Sequence, residues 1–227
     1  MIPRELLGIA EVPGGAALSL YRRGGDYMIS LDRNELMSSR MSGSEIALAT
    51  MTLERLGSPA APRILVGGYG MGFTLRALLA DTGPKAEIVV AELVPEIIDW
   101  ARGPMAAMTG TCLDDARVDL RISDVVDEIA DPGAGPGAGY DAILLDVDNG
   151  PDGLTRPANN GLYNGRGLAQ AKAALRPGGI LASWSAAPDA AFTRRLSGAG
   201  FAVDEWRVRA RSNGKGPIHM IWFAQVQ

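Results

Sequence analysis

From residue 63 onward, short apolar runs alternate with helix-like runs, and this alternation permits few folds. Five runs have the composition of buried strands: RILVGG (63–68), AEIVVAEL (86–93), ARVDLRIS (116–123), YDAILLDV (140–147) and GGILASWS (178–185). Helix-like runs lie between them, at 72–80, 95–102, 124–130 and 161–175. Continuous apolar strands that are separated by helices predict a parallel sheet covered on both faces.

The end of the chain adds an antiparallel pair of strands. The last two strand-like runs, 201–210 and 217–226, follow a helix-like run at 188–198 and are joined by six residues only. A connection this short cannot make the crossover that a parallel pair needs, so the two strands are antiparallel neighbours. The sequence therefore predicts an α/β fold with a Rossmann-like, seven-stranded sheet whose last strand is antiparallel. A dinucleotide dehydrogenase differs, because its sixth strand enters through another crossover.

The N-terminal region has a different pattern. Apolar and polar residues alternate over 16–37 on both sides of Arg23-Gly24-Gly25-Asp26, which is typical of a β-hairpin. We therefore expect a short N-terminal β-hairpin extension over 1–42 and a Rossmann-like catalytic domain over 43–227. Because an exposed two-stranded hairpin is marginally stable alone and pairs readily through its edges, we also expect a homodimer.

Composition excludes several classes of protein. The chain has 227 residues, and its 22 Lys+Arg against 26 Asp+Glu give a net charge of −4, which disfavours a nucleic-acid partner. The single cysteine, Cys112, forms neither an intramolecular disulfide nor a multi-cysteine zinc site, so we expect a reducing cytoplasm and no metal. No apolar run approaches the roughly 18 residues of a membrane-spanning helix. Glu5 and Glu11 also interrupt the start of the chain, so we expect no membrane or targeting segment.

A glycine-rich turn follows the first strand of the predicted sheet. It reads Gly67-Gly68-Tyr69-Gly70-Met71-Gly72 and leads directly into a helix-like run. Glycines let the backbone approach a ligand closely, and the start of the helix offers free N–H groups. No lysine follows as a triphosphate-binding P-loop requires. We interpret Gly67, Gly68, Gly70 and Gly72 as a nucleotide-binding turn, and a tight turn without a ligand is the alternative.

Two acidic residues follow the next two strands. Glu92 closes the second strand, 20 positions after Gly72, where a carboxylate can accept hydrogen bonds from both ribose hydroxyls. Asp124 follows the third strand and begins a helix-like run. It is placed either to accept a hydrogen bond from an adenine amine or to cap the helix. The sequence leaves both roles of Asp124 open.

The fourth strand ends in a second acidic segment. Asp146 and Asp148 are two positions apart and thus face the same side of an extended chain. The apolar strand before them raises the pKa of a buried carboxyl, so Asp146 can take a proton from an amine or hold an ammonium group. An ordinary turn is the alternative.

Two further residues come later in the chain. Tyr163 begins the next helix and either caps the pocket or packs in the core. We interpret His219 as a partly buried strand residue.

Together with the N-terminal hairpin, these residues resemble the spermidine synthase family of the class I S-adenosylmethionine-dependent transferase fold, from about Leu18 to Ala224. The resemblance implies S-adenosylmethionine, or its decarboxylated form, on the glycine turn, with Glu92 on the ribose and Asp124 on the adenine. Asp146-Val147-Asp148 resembles the family's paired-aspartate segment D-x-x-D. By that match, Asp146 is the base that deprotonates the attacking amine, and Asp148 or Asn149 helps to hold it.

The chain also departs from the family pattern. The family has a glycine turn of the form GGGDGG, whereas this turn reads GGYGMG, and the segment 37–45 lacks the family's Tyr-His-Glu. The second aspartate is one position early. We therefore expect methyl transfer from S-adenosylmethionine to a small acceptor, with Asp146 as base. Aminopropyl transfer from decarboxylated S-adenosylmethionine to a diamine and a non-catalytic nucleoside-binding module are the alternatives.

Overall fold

The computed structural model describes residues 3–32, 34–135, 138–147 and 160–227. The N-terminal region is a four-stranded antiparallel sheet, and its strands lie in chain order. They are β1 (Glu5–Ala10), β2 (Leu18–Arg23), β3 (Asp26–Leu31) and β4 (Asn34–Ser38). The predicted hairpin is formed by β2 and β3, and a further strand on each side enlarges it into a sheet.

The main sheet has seven strands in the order β10-β11-β9-β8-β5-β6-β7. They are β5 (Arg63–Gly67), β6 (Glu87–Glu92), β7 (Val118–Ile122), β8 (Tyr140–Leu145), β9 (Leu175–Ser185), β10 (Phe201–Arg209) and β11 (Ile218–Val226). Strands β5 to β9 pair in parallel, whereas β11 is antiparallel to both of its neighbours, β9 and β10. The predicted fold class is therefore confirmed.

Eight helices connect the strands in the described ranges. They are α1 (Gly43–Leu56), α2 (Phe73–Asp81), α3 (Pro95–Arg102), α4 (Ala106–Thr109), α5 (Val125–Ala130), α6 (Asn160–Tyr163), α7 (Gly165–Ala174) and α8 (Ala190–Gly198). The helix predicted at 161–175 is divided at Asn164, whose side chain accepts hydrogen bonds from the first N–H groups of α7. Among the described helices, none combines the length and the hydropathy that crossing a membrane requires.

The core consists of two apolar clusters on opposite faces of the main sheet. Alternation along β5 shows the division: Ile64 and Val66 belong to one cluster and Leu65 to the other. The first cluster also contains Leu20 and Ile29 of the N-terminal sheet. The two sheets therefore share one core, and burial of apolar surface holds the N-terminal sheet in place.

Close contacts with α3 and the residues after it fix the position of the N-terminal sheet. Tyr27 of β3 donates a hydrogen bond of 2.6 Å from its hydroxyl to the carbonyl of Pro104. Gly8 of β1 lies so near Trp100 that a Cβ atom would come within 2.5 Å of the indole nitrogen. Any larger residue at position 8 would displace the indole. These contacts hold the N-terminal sheet against α3 and the residues that follow it.

Candidate functional site

A cavity of about 320 Å³ lies between the N-terminal sheet and the carboxyl ends of β5, β6 and β8. Its wall on the side of the N-terminal sheet is mostly apolar, with Leu18, Ile29 and Met37. The opposite wall contains the ends of parallel strands, which is where open α/β sheets bind their ligands. The volume is in the range of a small-ligand pocket.

The glycine turn lies against this cavity. Gly68 and Gly70 line it, whereas Gly67 ends β5 beneath it and Gly72 precedes the first residue of α2. Gly68 has a φ of +86°, and a Cβ atom there would lie 2.7 Å from the carbonyl oxygen of Asp146. Only glycine satisfies both the backbone conformation and the close approach. The main-chain atoms of the turn are therefore exposed to the cavity with no side chain in front of them, which allows a nucleoside to approach closely.

Glu92 lines the cavity at the end of β6. Its side chain is buried, and its two carboxylate oxygens accept hydrogen bonds of 2.9 Å from the backbone N–H groups of Tyr69 and Val94. Burial raises the pKa of Glu92, and these N–H donors oppose the increase. The carboxylate also lines the cavity, which places it to accept a ribose hydroxyl. The ribose role predicted for Glu92 fits this geometry and stays a prediction.

Asp146 lies directly after β8 and lines the same cavity. Its Oδ2 accepts a hydrogen bond of 2.8 Å from Oγ1 of Thr74, a buried residue in the first turn of α2. Burial raises the pKa of Asp146 to about 6, and the Thr74 hydrogen bond opposes the increase. A carboxyl whose pKa approaches neutrality is suited to proton exchange with a ligand.

Glu45 is a second carboxyl in the cavity, and the sequence interpretation missed it. It lies in the first turn of α1, is 5% exposed and accepts a hydrogen bond of 2.7 Å from the hydroxyl of Ser44. Burial and the charge of Asp146 raise the pKa of Glu45 to about 8. Two like charges in one cavity resist ionising together. The cavity therefore favours either a proton on one carboxyl or a cationic ligand between them.

His219 is a second residue whose place in the cavity was not predicted. It is a largely buried residue of β11, as expected, but it also lines the cavity. Its Nδ1 lies 2.8 Å from Oγ of Ser44, and its ring packs edge-to-face with that of Trp184 at 4.8 Å. Burial lowers the pKa of His219, which keeps the imidazole neutral. Because Ser44 and His219 are 175 positions apart, no local pattern signals their contact.

Asp124 and Tyr163 are described residues that do not line the cavity. Asp124 caps α5, where its side chain accepts a hydrogen bond of 3.0 Å from the N–H of Val126. Tyr163 is buried in the second apolar cluster, edge-to-face with Phe192, and its hydroxyl lies 3.4 Å from the Val147 carbonyl. Asp148 falls outside the described residues. The functional roles of these three residues stay predictions.

Comparisons with known proteins place this geometry in context. No protein-family model matches the chain. The chain is 32% identical over 199 residues to the polyamine aminopropyltransferases of Mycobacterium tuberculosis and Mycobacterium bovis. The alignment covers 85% of this chain, and the chain spans 36% of the length of these curated relatives.

Solved structures agree with the sequence comparison. A spermidine synthase from Thermotoga maritima superimposes with a TM-score of 0.75 at 15% identity, over 98% of this chain and 73% of that one. A probable spermidine synthase from Corynebacterium glutamicum gives 0.63 at 16% identity, over 96% and 81%. Human methyltransferase-like protein 13 in complex with SAH gives 0.58 at 24% identity, over 83% and 81%. The predicted resemblance to spermidine synthases and the class I methyltransferase-like fold are thus confirmed.

Proposed function

We propose that the chain transfers an aminopropyl group from decarboxylated S-adenosylmethionine to an amine acceptor. One observation carries the proposal: two carboxyls, the buried Glu45 and the half-buried Asp146, line a single cavity beside the glycine turn. Carboxylates that are removed from water are strong binders of an ammonium group. The sequence alone favoured methyl transfer, with aminopropyl transfer as an alternative. The similarity to polyamine aminopropyltransferases supports aminopropyl transfer.

The residues of the turn and of β6 fit the nucleoside part of such a co-substrate. The backbone at Gly68 and Gly70 is open to the cavity, and the carboxylate of Glu92 faces it. When bound, a sulfonium co-substrate supplies an activated carbon atom and a neutral leaving group. We assign Glu92 to the ribose hydroxyls and keep Asp124 as the candidate for the adenine amine.

The acceptor side of the cavity suits an amine with an apolar chain. Leu18, Ile29 and Met37 offer an apolar wall, and Glu45 with Asp146 offers the negative charge. Holding the amine in this cavity would align it with the reacting carbon. The amine must lose a proton before it attacks. Asp146 is the base that the sequence predicts for this proton. Glu45 is a second candidate, because its pKa is raised further than that of Asp146.

Incubation of the chain with decarboxylated S-adenosylmethionine and a series of diamines tests the proposal. We expect methylthioadenosine and the aminopropylated amine by mass spectrometry. Asp146→Asn should lower kcat by about 100-fold and leave the calorimetric affinity for methylthioadenosine unchanged. Asp99→Asn, an exposed carboxylate on α3, is the matched control and should stay fully active. A fully active Asp146→Asn variant would contradict the assignment, and the absence of product with every amine would contradict the function.

Methyl transfer is the second candidate, and the glycine turn favours it. A Cβ atom on Gly70 would lie 2.6 Å from the terminal methyl of Met37. Met37 therefore fills the space beside the position where the family's GGGDGG turn has aspartate. The amine of a decarboxylated co-substrate needs an acid, whereas the carboxylate of S-adenosylmethionine needs donors. Formation of S-adenosylhomocysteine from S-adenosylmethionine, without methylthioadenosine, would establish this reaction, and binding without either product would indicate a non-catalytic module.

A further inference from the structure

A chain of hydrogen bonds connects β11 to α1 at the wall of the cavity. The hydroxyl of Ser44 lies 2.7 Å from Oε2 of Glu45 and 2.8 Å from Nδ1 of His219. Both Glu45 and His219 line the cavity, and Ser44 between them is fully buried. Nε2 of His219 makes no hydrogen bond within the described ranges, and because His219 lines the cavity we infer that this nitrogen is available to a ligand there.

We propose that His219, Ser44 and Glu45 form a proton relay, in which a proton taken up at Nε2 of His219 is delivered to the Glu45 carboxylate. The inference rests on the proposed function in one respect, namely that the acceptor amine is the source of the proton. The relay itself requires only the three side chains and their two contacts.

The single hydroxyl proton of Ser44 permits two consistent arrangements. When Glu45 is ionised, Ser44 donates to it and accepts from Nδ1–H of His219, so Nε2 carries a lone pair. When Glu45 is protonated, it donates to Ser44, Ser44 donates to Nδ1, and Nε2 carries the proton. The tautomer of His219 and the protonation state of Glu45 therefore change together.

The transfer between these arrangements is balanced. The N–H bond of the ammonium breaks and an Nε2–H bond forms; Nδ1–H breaks and a new Ser44 O–H forms. The original Ser44 O–H breaks and Oε2–H of Glu45 forms. His219 and Ser44 each gain one proton and pass one on. The ligand ammonium becomes a neutral amine, and of the three side chains only Glu45 changes its charge. No imidazolium persists at His219.

The surroundings favour this direction of transfer. Burial disfavours a charged imidazole at His219, while the neutral form of Glu45 is favoured by burial and by Asp146. The other ionisable residues that line the cavity are acids, namely Glu35 on β4, Glu92 on β6 and Asp146 after β8. Asp146 then remains ionised and holds the amine while Glu45 stores the proton.

The single histidine of the sequence makes the coupling directly measurable. The full chain is labelled with ¹⁵N in histidine, and the two ring-nitrogen shifts of His219 are followed by NMR as the pH is raised. We expect the proton to move from Nε2 to Nδ1 as the pH passes through about 8, where Glu45 ionises. Asp146→Asn should move this change to lower pH, because the charge of Asp146 contributes to the raised pKa of Glu45.

Ser44→Ala is the decisive variant, since it removes one oxygen atom from the middle of the relay. The tautomer should then no longer change with pH, whereas Thr50→Ala, which removes a hydroxyl from the same helix, should leave the change intact. Glu45→Gln should also abolish the change. A tautomer that is constant in the unaltered chain, or one that still switches in Ser44→Ala, overturns the relay.

Turnover supplies an independent readout. Ser44→Ala should lower kcat by about 100-fold with little change in KM, because Ser44 carries a proton and does not touch the ligand. An unchanged kcat overturns proton delivery through Ser44. If the unaltered chain forms no aminopropylated product but shows the Ser44-dependent tautomer change, the proposed function fails and the coupling stands. If the tautomer is constant in an active transferase, only the relay fails.

Discussion

Thr74 donates a hydrogen bond of 2.8 Å from its Oγ1 to Oδ2 of Asp146. The hydroxyl belongs to the helix that follows the glycine turn, and the carboxyl follows β8. Thr74 is buried, so this contact is shielded from water. One hydrogen bond thereby connects the segment assigned to the nucleoside with the carboxyl assigned to the amine. It also orients Asp146 and stabilises its ionised form.

Replacing this donor should change the pH dependence of turnover. Thr74→Val keeps the shape of the side chain and removes the hydrogen bond, so the pKa of Asp146 should rise by about one unit. If ionised Asp146 holds the amine, the pH below which the Thr74→Val variant loses activity should rise together with the pKa of Asp146. Profiles of kcat/KM against pH measure this change. The control is Thr52→Val, which removes a buried hydroxyl of α1 that donates to the Leu48 carbonyl. If activity is lost at the same acidic pH in Thr74→Val and in Thr52→Val, the prediction is contradicted.

The raised pKa of Glu45 predicts a pH dependence of stability. An unfolded chain loses the Glu45 proton near pH 4.5, whereas the folded chain keeps it to about pH 8. The folded state therefore binds more protons in this range, and the free energy of unfolding falls as the pH rises through it. The slope is about 1.4 kcal/mol per pH unit while the folded chain holds this proton and the unfolded chain does not.

Urea unfolding of the chain and of Glu45→Gln at a series of pH values measures the contribution of Glu45. The neutral amide cannot titrate, so the stability of Glu45→Gln should fall less steeply between pH 4.5 and 8. Parallel pH profiles for the two proteins would show that Glu45 titrates in the folded chain as it does in the unfolded one.

Glu92 should contribute both to stability and to nucleoside affinity. In Glu92→Gln, one of the two backbone N–H groups that Glu92 binds loses its acceptor, which should cost about 1–3 kcal/mol in unfolding free energy. The affinity for methylthioadenosine, measured by calorimetry, should fall as well. Glu87→Gln is the control at the other end of β6, because Glu87 is exposed and its ion pair with Arg63, at 3.5 Å, contributes little. An unchanged affinity in Glu92→Gln would exclude the ribose role.

The predicted parts of the fold and site are those that local sequence determines. Alternating strands and helices, with a six-residue connection at the end, were sufficient for the main sheet. Gly68 and Asp146 directly follow strands and Glu92 ends one, and parallel strands bring their carboxyl ends to one side of the sheet. Glu45 resembles an ordinary acid in the first turn of a helix, a placement that the helix dipole favours. Its burial, and the approach of His219 from β11, depend on tertiary packing that no local pattern contains.

Strand β1 predicts an association between chains. It forms the edge of the N-terminal sheet, and Leu6 and Ile9 on it are 50% and 58% exposed. An apolar edge strand with free backbone groups pairs readily with another edge, and here a second copy offers the same strand. Light scattering should therefore give the mass of two chains, and Leu6→Lys with Ile9→Lys should give the mass of one, because charges at an edge oppose pairing. The double variant leaves the cavity untouched, so its affinity for methylthioadenosine should persist. A single-chain mass for the unaltered protein would contradict dimerisation.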